Sequence, residues 1–438
     1  MQSNVFGKNF RITTFGESRS KALGVVIDGV QPNLDFDLEF IKSELSKRKP
    51  GASSFSTQRK EIDEPIVLSG VFNGKTLGTP ICIVFFNNEQ TDKNYEELKN
   101  VFRPGHADFT WFHKYGIRDY RGGGRSSGRE TVARVAAGAL AKYYLKKRGI
   151  TLNSYSVQIG DIKAIKKDLE FAKSNELKFC DPDLFNKIKV NLNKIKVSGD
   201  SAGGIVEVTI TGVPVGLGDP VFEKLNANLG KAVLSIGGVK GVEFGKGFES
   251  TFMKGSEFND SVLLYDSSNN NGGISGGISN GKNIVLRCAI RPVSSILKSQ
   301  ETLDIQGNKR EISISGNHDV ILIPRIIPVI EAMCALVIAD ALETQQNIEK
   351  KEPDLEELRY LIDQTDLEIL QLLKKRMEIS KKIGNFKKER NMEITDCERE
   401  EELFYILEKQ AKKIGLSSDF IKKVYELVVK ESKQQQTR

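Results

Sequence analysis

Gly122-Gly123-Gly124 runs into Arg125, Ser126 and Ser127 ahead of an alanine-rich segment of helical pattern. Glycines before a helix N-terminus expose backbone N–H groups that suit a phosphate, and a guanidinium with two hydroxyls adds charge and donors. Upstream, FRPGHAD places His106 beside turn residues. NNNGGISGGISNG and IRPVSSI offer further backbone donors and hydroxyls. FGESRS sets Arg19 on a Gly-Glu-Ser turn. A guanidinium stays protonated, so it can hold an anion but cannot act as a proton donor in turnover. As plain scaffold, the same glycines and serines would serve as tight turns and caps.

A second constellation lies near the C-terminus. Arg376 and Lys387 are eleven residues apart, which on a helix is three turns within about 20° and a separation of about 16 Å. That spacing suits two cations gripping opposite ends of a small dianion. Arg359 precedes Arg376 by seventeen residues, about 25 Å on a straight helix, too far for the same small ligand. It is either a surface charge or part of a site in a partner chain running antiparallel.

The chain has 438 residues, 39% hydrophobic and 28% charged, which favours two or more globular domains over disorder. Its net charge of +7 falls entirely before Asp354, because the rest carries 18 basic and 18 acidic residues. The lysines are dispersed and no finger, zipper or aromatic–basic motif accompanies them, so nucleic acid is not an expected partner. Solvated lysine faces or a basic pocket for small anions remain. The five cysteines are scattered without a CxxC pair, and we expect neither zinc nor disulfides, but a reducing cytoplasm. No apolar run approaches the roughly 18–20 residues that span a bilayer, and MQSNVFGKNFRITTFG lacks a signal pattern, so no membrane association is expected.

Positioning these residues requires two kinds of architecture. PIVLSGVF, PICIVFF, GGIVEVTITGV and NIVLRCAI read as strands, β-branched and bounded by Gly, Asn or Pro. ETVARVAAGALAKYYLKKRG and IPVIEAMCALVIADALE read as helices, the second apolar enough to be buried. Without a regular βαβ period, an α+β fold is predicted up to about residue 342. TQQNIEKKEPD supplies a polar connector, a linker at 343–353, and Asp354 with Glu357 forms a capping box that opens the second domain, 354–438. There Leu358, Ile362, Ile369, Leu373, Met377, Ile383 and Phe386 recur at helical steps, and no Gly or Pro intervenes from Leu355 to Ile383. One helix of over thirty residues, about 45–50 Å, is predicted. CEREEELFYILEKQAKK and SSDFIKKVYELVVKESKQQQ supply two more. Three helices in under ninety residues make a thin core, which favours a dimer.

Across residues 1 to about 342, FGES, RPGHAD, YRGGGRSSGRETVARVAAGA and IPRIIPVIEAMCALVIAD resemble chorismate synthase. The resemblance implies a β-α-β sandwich that assembles as a tetramer. It implies elimination of phosphate from 5-enolpyruvylshikimate 3-phosphate to give chorismate, with reduced FMN and no net redox change. NADPH or a separate flavin reductase would be the electron source. Flavin contacts would fall on Arg125, Ser126, Ser127, Gly237, Gly238, Gly276, Arg291, Pro292, Val293, Ser294, Ser295 and Asn317. Arg48, Arg129 and Ser54 would face the anionic substrate, His106 would stabilise or protonate the reduced flavin, and Asp319 would accept a proton by way of flavin N5. Three positions depart from the family. Its GESHG is GESRS, which puts Arg19 in place of a catalytic histidine; its GRHD is GNHD, at Asn317; its PGxSR is PGASS, at Ser54. The chain contains only His106, His113 and His318.

The C-terminal segment resembles the all-helical chorismate mutases. LRYLIDQTDLEILQLLKKRMEISKKIGNFKKE, DCERE and ESKQQQ carry the likeness. It implies rearrangement of chorismate to prephenate in a shared dimer site, without metal or nucleophile. Arg359 would act across the dimer, Arg376 would clamp a carboxylate, and Lys387 and Gln436 would donate to the ether oxygen. Asp396, Arg399, Glu400 and Ser432 would complete substrate binding. The reading is a cytoplasmic bifunctional shikimate-pathway enzyme. The alternatives are an impaired flavin-binding regulatory module on an active mutase, and a basic binding protein with neither activity.

Overall fold

The computed structural model describes residues 3–51, 53–57, 63–87, 98–262, 268–314, 316, 318–346, 355–390 and 392–437, with backbone alone at 355–357, 361, 397 and 437. The Asp354–Glu357 capping box, Asn317 and most of the connector lie outside what is described. Residues 1–260 and 268–349 form one compact unit; 261–267 and 350–438 form the other.

In the first unit, β-branched alternation produces two five-stranded antiparallel sheets. One runs in the order Val5–Phe6, Arg11–Phe15, Ala22–Asp28, Ile81–Phe86, Ile66–Ser69. The other runs Val239–Phe244, Ile284–Ile290, Gly204–Thr211, Thr151–Ile159, Ile162–Lys163. Alternate residues such as Leu23, Val25 and Ile27 are fully buried, as are Val206, Val208 and Ile210 of the second sheet. Each such side chain contributes about 1.5–3 kcal/mol relative to exposure.

Two helices fill the space between the sheets. Thr131–Lys146 packs on the first sheet, Ile323–Gln346 on the second, and the two pack on each other. Their close approach explains the alanine-rich sequence: a Cβ on Gly138 would lie 2.3 Å from the Cβ of Ala332. Lys142, half-buried at this helix layer, is ion-paired to Glu44 at 2.7 Å and to Glu331. The carboxylate of Asp340 accepts the N–H groups of Lys8, Asn9 and Phe10 at 3.0, 2.7 and 2.9 Å, which pins the N-terminal segment to the Ile323–Gln346 helix. This is the predicted β-α-β sandwich. The last helix continues to Gln346, four residues past the expected domain end.

The second unit consists of three helices, Leu355–Glu389, Cys397–Lys413 and Ser418–Thr437. The first has 35 residues, about 52 Å, and runs through Gly384 without breaking. Its packing partner is the last helix. Among the described residues of this unit, Ala411 and Val429 are the buried apolar side chains, while Leu358, Ile362, Ile369, Leu372, Ile379 and Phe386 are all at least 46% exposed. No helix among the described residues is long and apolar enough to cross a membrane.

Candidate active sites

A cavity of about 700 Å³ opens in the first unit where loops from both sheets meet the starts of the two central helices. That volume lies within the range of roughly 300–1,000 Å³ usual for small-molecule and cofactor sites. Its wall contains eight arginines (19, 48, 103, 125, 129, 134, 291 and 325) against two carboxylates, Glu130 and Asp319. Such an excess of fixed positive charge selects for anions. Ser126, Ser127, Ser294 and Ser295 contribute hydroxyls, and Val293, Ile236, Leu322, Ile326 and Val329 an apolar surface.

The glycine run behaves differently from a simple helix-terminal cradle. Gly124–Ser126 and Gly128–Glu130 form two 3-10 turns before the helix starts at Thr131. The N–H groups of Ser126 and Ser127 are used inside those turns, on the carbonyls of Gly123 and Gly124. Arg125 also turns inward, donating to the carbonyls of Gly16 and Thr14, to Thr14 Oγ1 at 2.7 Å and to Asn4 Oδ1. It thereby anchors the Gly-Glu-Ser turn that carries Arg19 into the cavity wall.

His106 sits where two loops are stapled together. Ser294 Oγ donates to the Gly105 carbonyl at 2.8 Å, and Arg291 reaches the same oxygen at 3.2 Å. Gly105 has φ +69°, and a Cβ there would meet Ser294 Oγ at 2.8 Å, so glycine is required. His106 Nδ1 is 3.0 Å from the Pro104 carbonyl, which can only accept, so Nδ1 bears the proton. Nε2 is 3.0 Å from Ser295 Oγ. Burial, with Arg103 and Arg291 nearby, holds the imidazole below its ordinary range, opposed by the Pro104 bond and Asp108. His106 is therefore neutral at pH 7, with Nε2 the acceptor of the Ser295 hydroxyl.

Asp319 accepts the Thr57 N–H at 2.8 Å and Arg325 at 2.6 Å. Arg48 and Arg129 both bind Asp63, which lies behind the wall. Gly237, Gly238, Pro292 and Val293 also line the cavity.

Two expected residues are not among those lining it. Ser54 is exposed and turned outward, its N–H on Glu176 at 2.8 Å and its carbonyl on Lys196 at 3.1 Å. Gly276 forms, with Gly277, the tip of the hairpin between Ile274–Ser275 and Ile278–Ser279, folded back on residues 214–225 through Ser279 and the Gly277 carbonyl. Sequence reasoning missed Asp63, Asn87, Arg103, Arg134, Arg325 and His318, although Arg103 and Arg325 stand inside the motifs FRPGHAD and IPRIIPVIEAMCALVIAD. His318 lines the cavity too, so a second imidazole is present although none is near Arg19 in sequence.

In the helical unit, the seam between the first and last helices brings together three expected residues, Arg376, Ser432 and Gln436. Arg376 donates to Ser432 Oγ, which is 5% exposed and donates in turn to the Val428 carbonyl at 2.7 Å. Gln436, one turn beyond Ser432, packs on Gly384, and its Oε1 is buried with no hydrogen-bond partner among the described residues. Lys387, one turn beyond Gly384, donates to the Ile394 carbonyl at 2.7 Å. Glu400 pairs with Lys433 of the last helix at 2.7 Å. Asp396 caps the middle helix by accepting the Arg399 N–H at 3.0 Å, and the Arg399 side chain is engaged by Glu402 on its own helix. Arg359 stays on the exposed stripe of the long helix, seventeen residues from Arg376.

A sheet–helix–sheet sandwich with an arginine-walled cavity, joined to a three-helix unit, defines an anion-handling enzyme of two parts. The family described as chorismate synthase matches residues 10–342, and that described as chorismate mutase type II matches residues 358–437. A chorismate synthase of Methanosarcina mazei is 49% identical over 350 residues, 78% of this chain and 96% of its own. One from Nitratiruptor sp. is 49% identical over 340 residues, covering 77% and 95%. A solved chorismate synthase structure aligns with TM-score 0.60 at 29% identity, over 82% of this chain and 98% of that one. The chain belongs to the chorismate synthase family and carries a chorismate mutase domain.

Proposed function

We propose that the chain eliminates phosphate from 5-enolpyruvylshikimate 3-phosphate to give chorismate, and then rearranges chorismate to prephenate. The observation that carries the first step is the cavity wall of eight arginines and two carboxylates. The serine hydroxyls, the arginines and the apolar wall fit FMN, with Ser126, Ser127, Ser294, Ser295 and Gly238 holding it. When bound, reduced FMN supplies transient electron density with no net redox change. The ester must lose one ring proton and its phosphate. Asp319 is the carboxylate to which we assign the proton; it is held by the Thr57 N–H and Arg325, as Glu130 is by Thr14 and Arg134. Neutral His106, with Nε2 as a hydrogen-bond acceptor, would stabilise the reduced flavin and not protonate it.

Arg19 takes a different role from a proton donor. Phosphate has a second pKa of about 6 and can leave as the dianion. A guanidinium fixed in the wall stabilises that charge as it develops, at no cost in reorganisation. For the second step, Arg376 grips a carboxylate while Lys387 and Gln436 donate to the ether oxygen as its charge grows. Arg359 completes the site from a second copy, a reading supported by the exposed stripe and by its distance of about 25 Å from Arg376 along the helix.

The test is an anaerobic assay of purified protein with reduced FMN and the ester, following phosphate and chorismate. Phosphate release matched by chorismate, and then by prephenate, is expected. A second reading, flavin and ester binding without turnover on a working mutase, is favoured by the double engagement of Asp319. Prephenate formed from added chorismate, with no phosphate released over hours, would select it.

A further inference from the structure

We propose that Asp63 is the positioning residue of the anion site: its carboxylate, buried behind the wall, holds Arg48 and Arg129 as one oriented clamp for the phosphorylated substrate. This rests on the reading of the cavity as an anion site.

Three separate elements converge there. Arg48 ends the helix Leu38–Arg48, Arg129 belongs to the 3-10 turn Gly128–Glu130, and Asp63 precedes the strand Ile66–Ser69. The two carboxylate oxygens are divided between the two cations. Oδ2 accepts from Arg48 NH1 at 3.0 Å, and Oδ1 accepts from Arg129 NH1. The Asp63 side chain is 0% exposed and Arg48 2%, whereas Arg129 retains 10%. The arginines line the cavity and Asp63 does not. Asn87, at the end of the strand Ile81–Phe86, accepts Arg129 Nε at 3.1 Å and fixes the remaining edge of that guanidinium.

Two adjacent guanidiniums repel, and each has several rotamers. A shared carboxylate on the side away from the ligand offsets the repulsion and removes the rotational freedom. The group keeps a net positive charge toward the cavity, with its orientation settled before the ligand arrives. The order of cost follows: losing the carboxylate leaves a buried cation uncompensated and lets Arg129 swing.

The test is calorimetric titration of the full chain, with oxidised FMN present, by 5-enolpyruvylshikimate 3-phosphate. Four chains are compared: wild type, Asp63→Asn, Arg129→Gln and the double variant. Asp63→Asn is expected to weaken binding about tenfold or more, the scale of a charge-assisted hydrogen bond lost. The double variant should lose less than the product of the two single losses, because part of what Asp63 does goes through Arg129 and the rest through Arg48. Circular dichroism and Trp111 fluorescence of the same samples report a folded first unit. Binding by Asp63→Asn within a factor of about two of wild type, or losses that multiply in the double variant, overturns the proposal. Wild type that fails to bind the ester defeats the anion-site reading instead. If Asp63→Asn does not fold, Asn87→Ala replaces it, with weaker binding expected and wild-type binding overturning the clamp.

Discussion

A Cβ on Gly384 would stand 2.7 Å from the Cα of Gln436 and 2.7 Å from its carbonyl oxygen. The long helix and the last helix touch backbone to backbone there, at the residue expected to donate to the ether oxygen of chorismate. Gly384→Ala must push the helices apart, and overpacking of this kind costs about 1–3 kcal/mol. A displacement near 1 Å at a positioned donor lowers turnover by about 10²-fold. We expect mutase activity to fall by that order while phosphate release from the shikimate ester is unchanged. Mutase kinetics with chorismate, alongside circular dichroism to confirm helix content, checks it.

The same glycine marks where sequence reading stopped. Periodicity from Leu358 to Phe386 predicted the long helix because a 3.6-residue apolar pattern is local and persistent. It did not say that Gly384 serves contact instead of termination, since that depends on a helix fifty residues further on. The strands and the two central helices were legible for the same local reason. Arg48, Arg129, His106, Ser294 and Ser295 were legible from motif likeness, and all line the cavity. Asp63 and Asn87 carried no signal of their own, because what they do is set by arginines distant in the chain. Ser54 and Gly276 show the converse: the motif marks a position, but the backbone turns it toward Glu176 in one case and residues 214–225 in the other.

Arg359→Ala and Lys387→Ala chains should each be inactive as mutases, yet mixed chains should recover partial activity. Arg359 is seventeen residues from Arg376, and Leu358, Ile362 and Ile369 on the same helix are exposed among the described residues. If the site is completed by the partner, a heterodimer retains one intact site made from the unmutated halves. Activity of refolded mixtures, with heterodimer content measured by native mass spectrometry, decides. No recovery with heterodimers present would remove the shared site.

Arg19→His should change the pH dependence of phosphate release as well as its rate. Arginine cannot supply a proton, so the wild-type rate carries no limb from this position. General acid catalysis is worth about 10²–10⁴-fold when the donor is well placed. The histidine variant should gain turnover at low pH and lose it as the imidazole deprotonates. Arg19→Gln, which neither charges nor donates a proton to the leaving group, should be slower than both. Phosphate release across pH 5.5–8.5 under anaerobic conditions is the measurement. Equal rates for Arg19→Gln and wild type would show that the guanidinium contributes nothing.

His106 ties pH to stability of the first unit. Its folded-state pKa is held below the ordinary value of 6.5, chiefly by burial and then by Arg103. Between that depressed value and 6.5 the unfolded chain binds a proton that the folded chain does not. Stability therefore rises with pH through this window, is present in full above 6.5 and is lost as pH falls through the folded pKa. Replacing His106 with Gln removes the titrating group, so the stability difference between wild type and His106→Gln should narrow, or reverse, on going from pH 8 to pH 5.5. The single tryptophan, Trp111, sits in the adjacent helix Asp108–Tyr115, so its fluorescence follows urea unfolding of this unit alone. A constant difference across that range would mean that the imidazole is as free to charge in the folded chain as in the unfolded one.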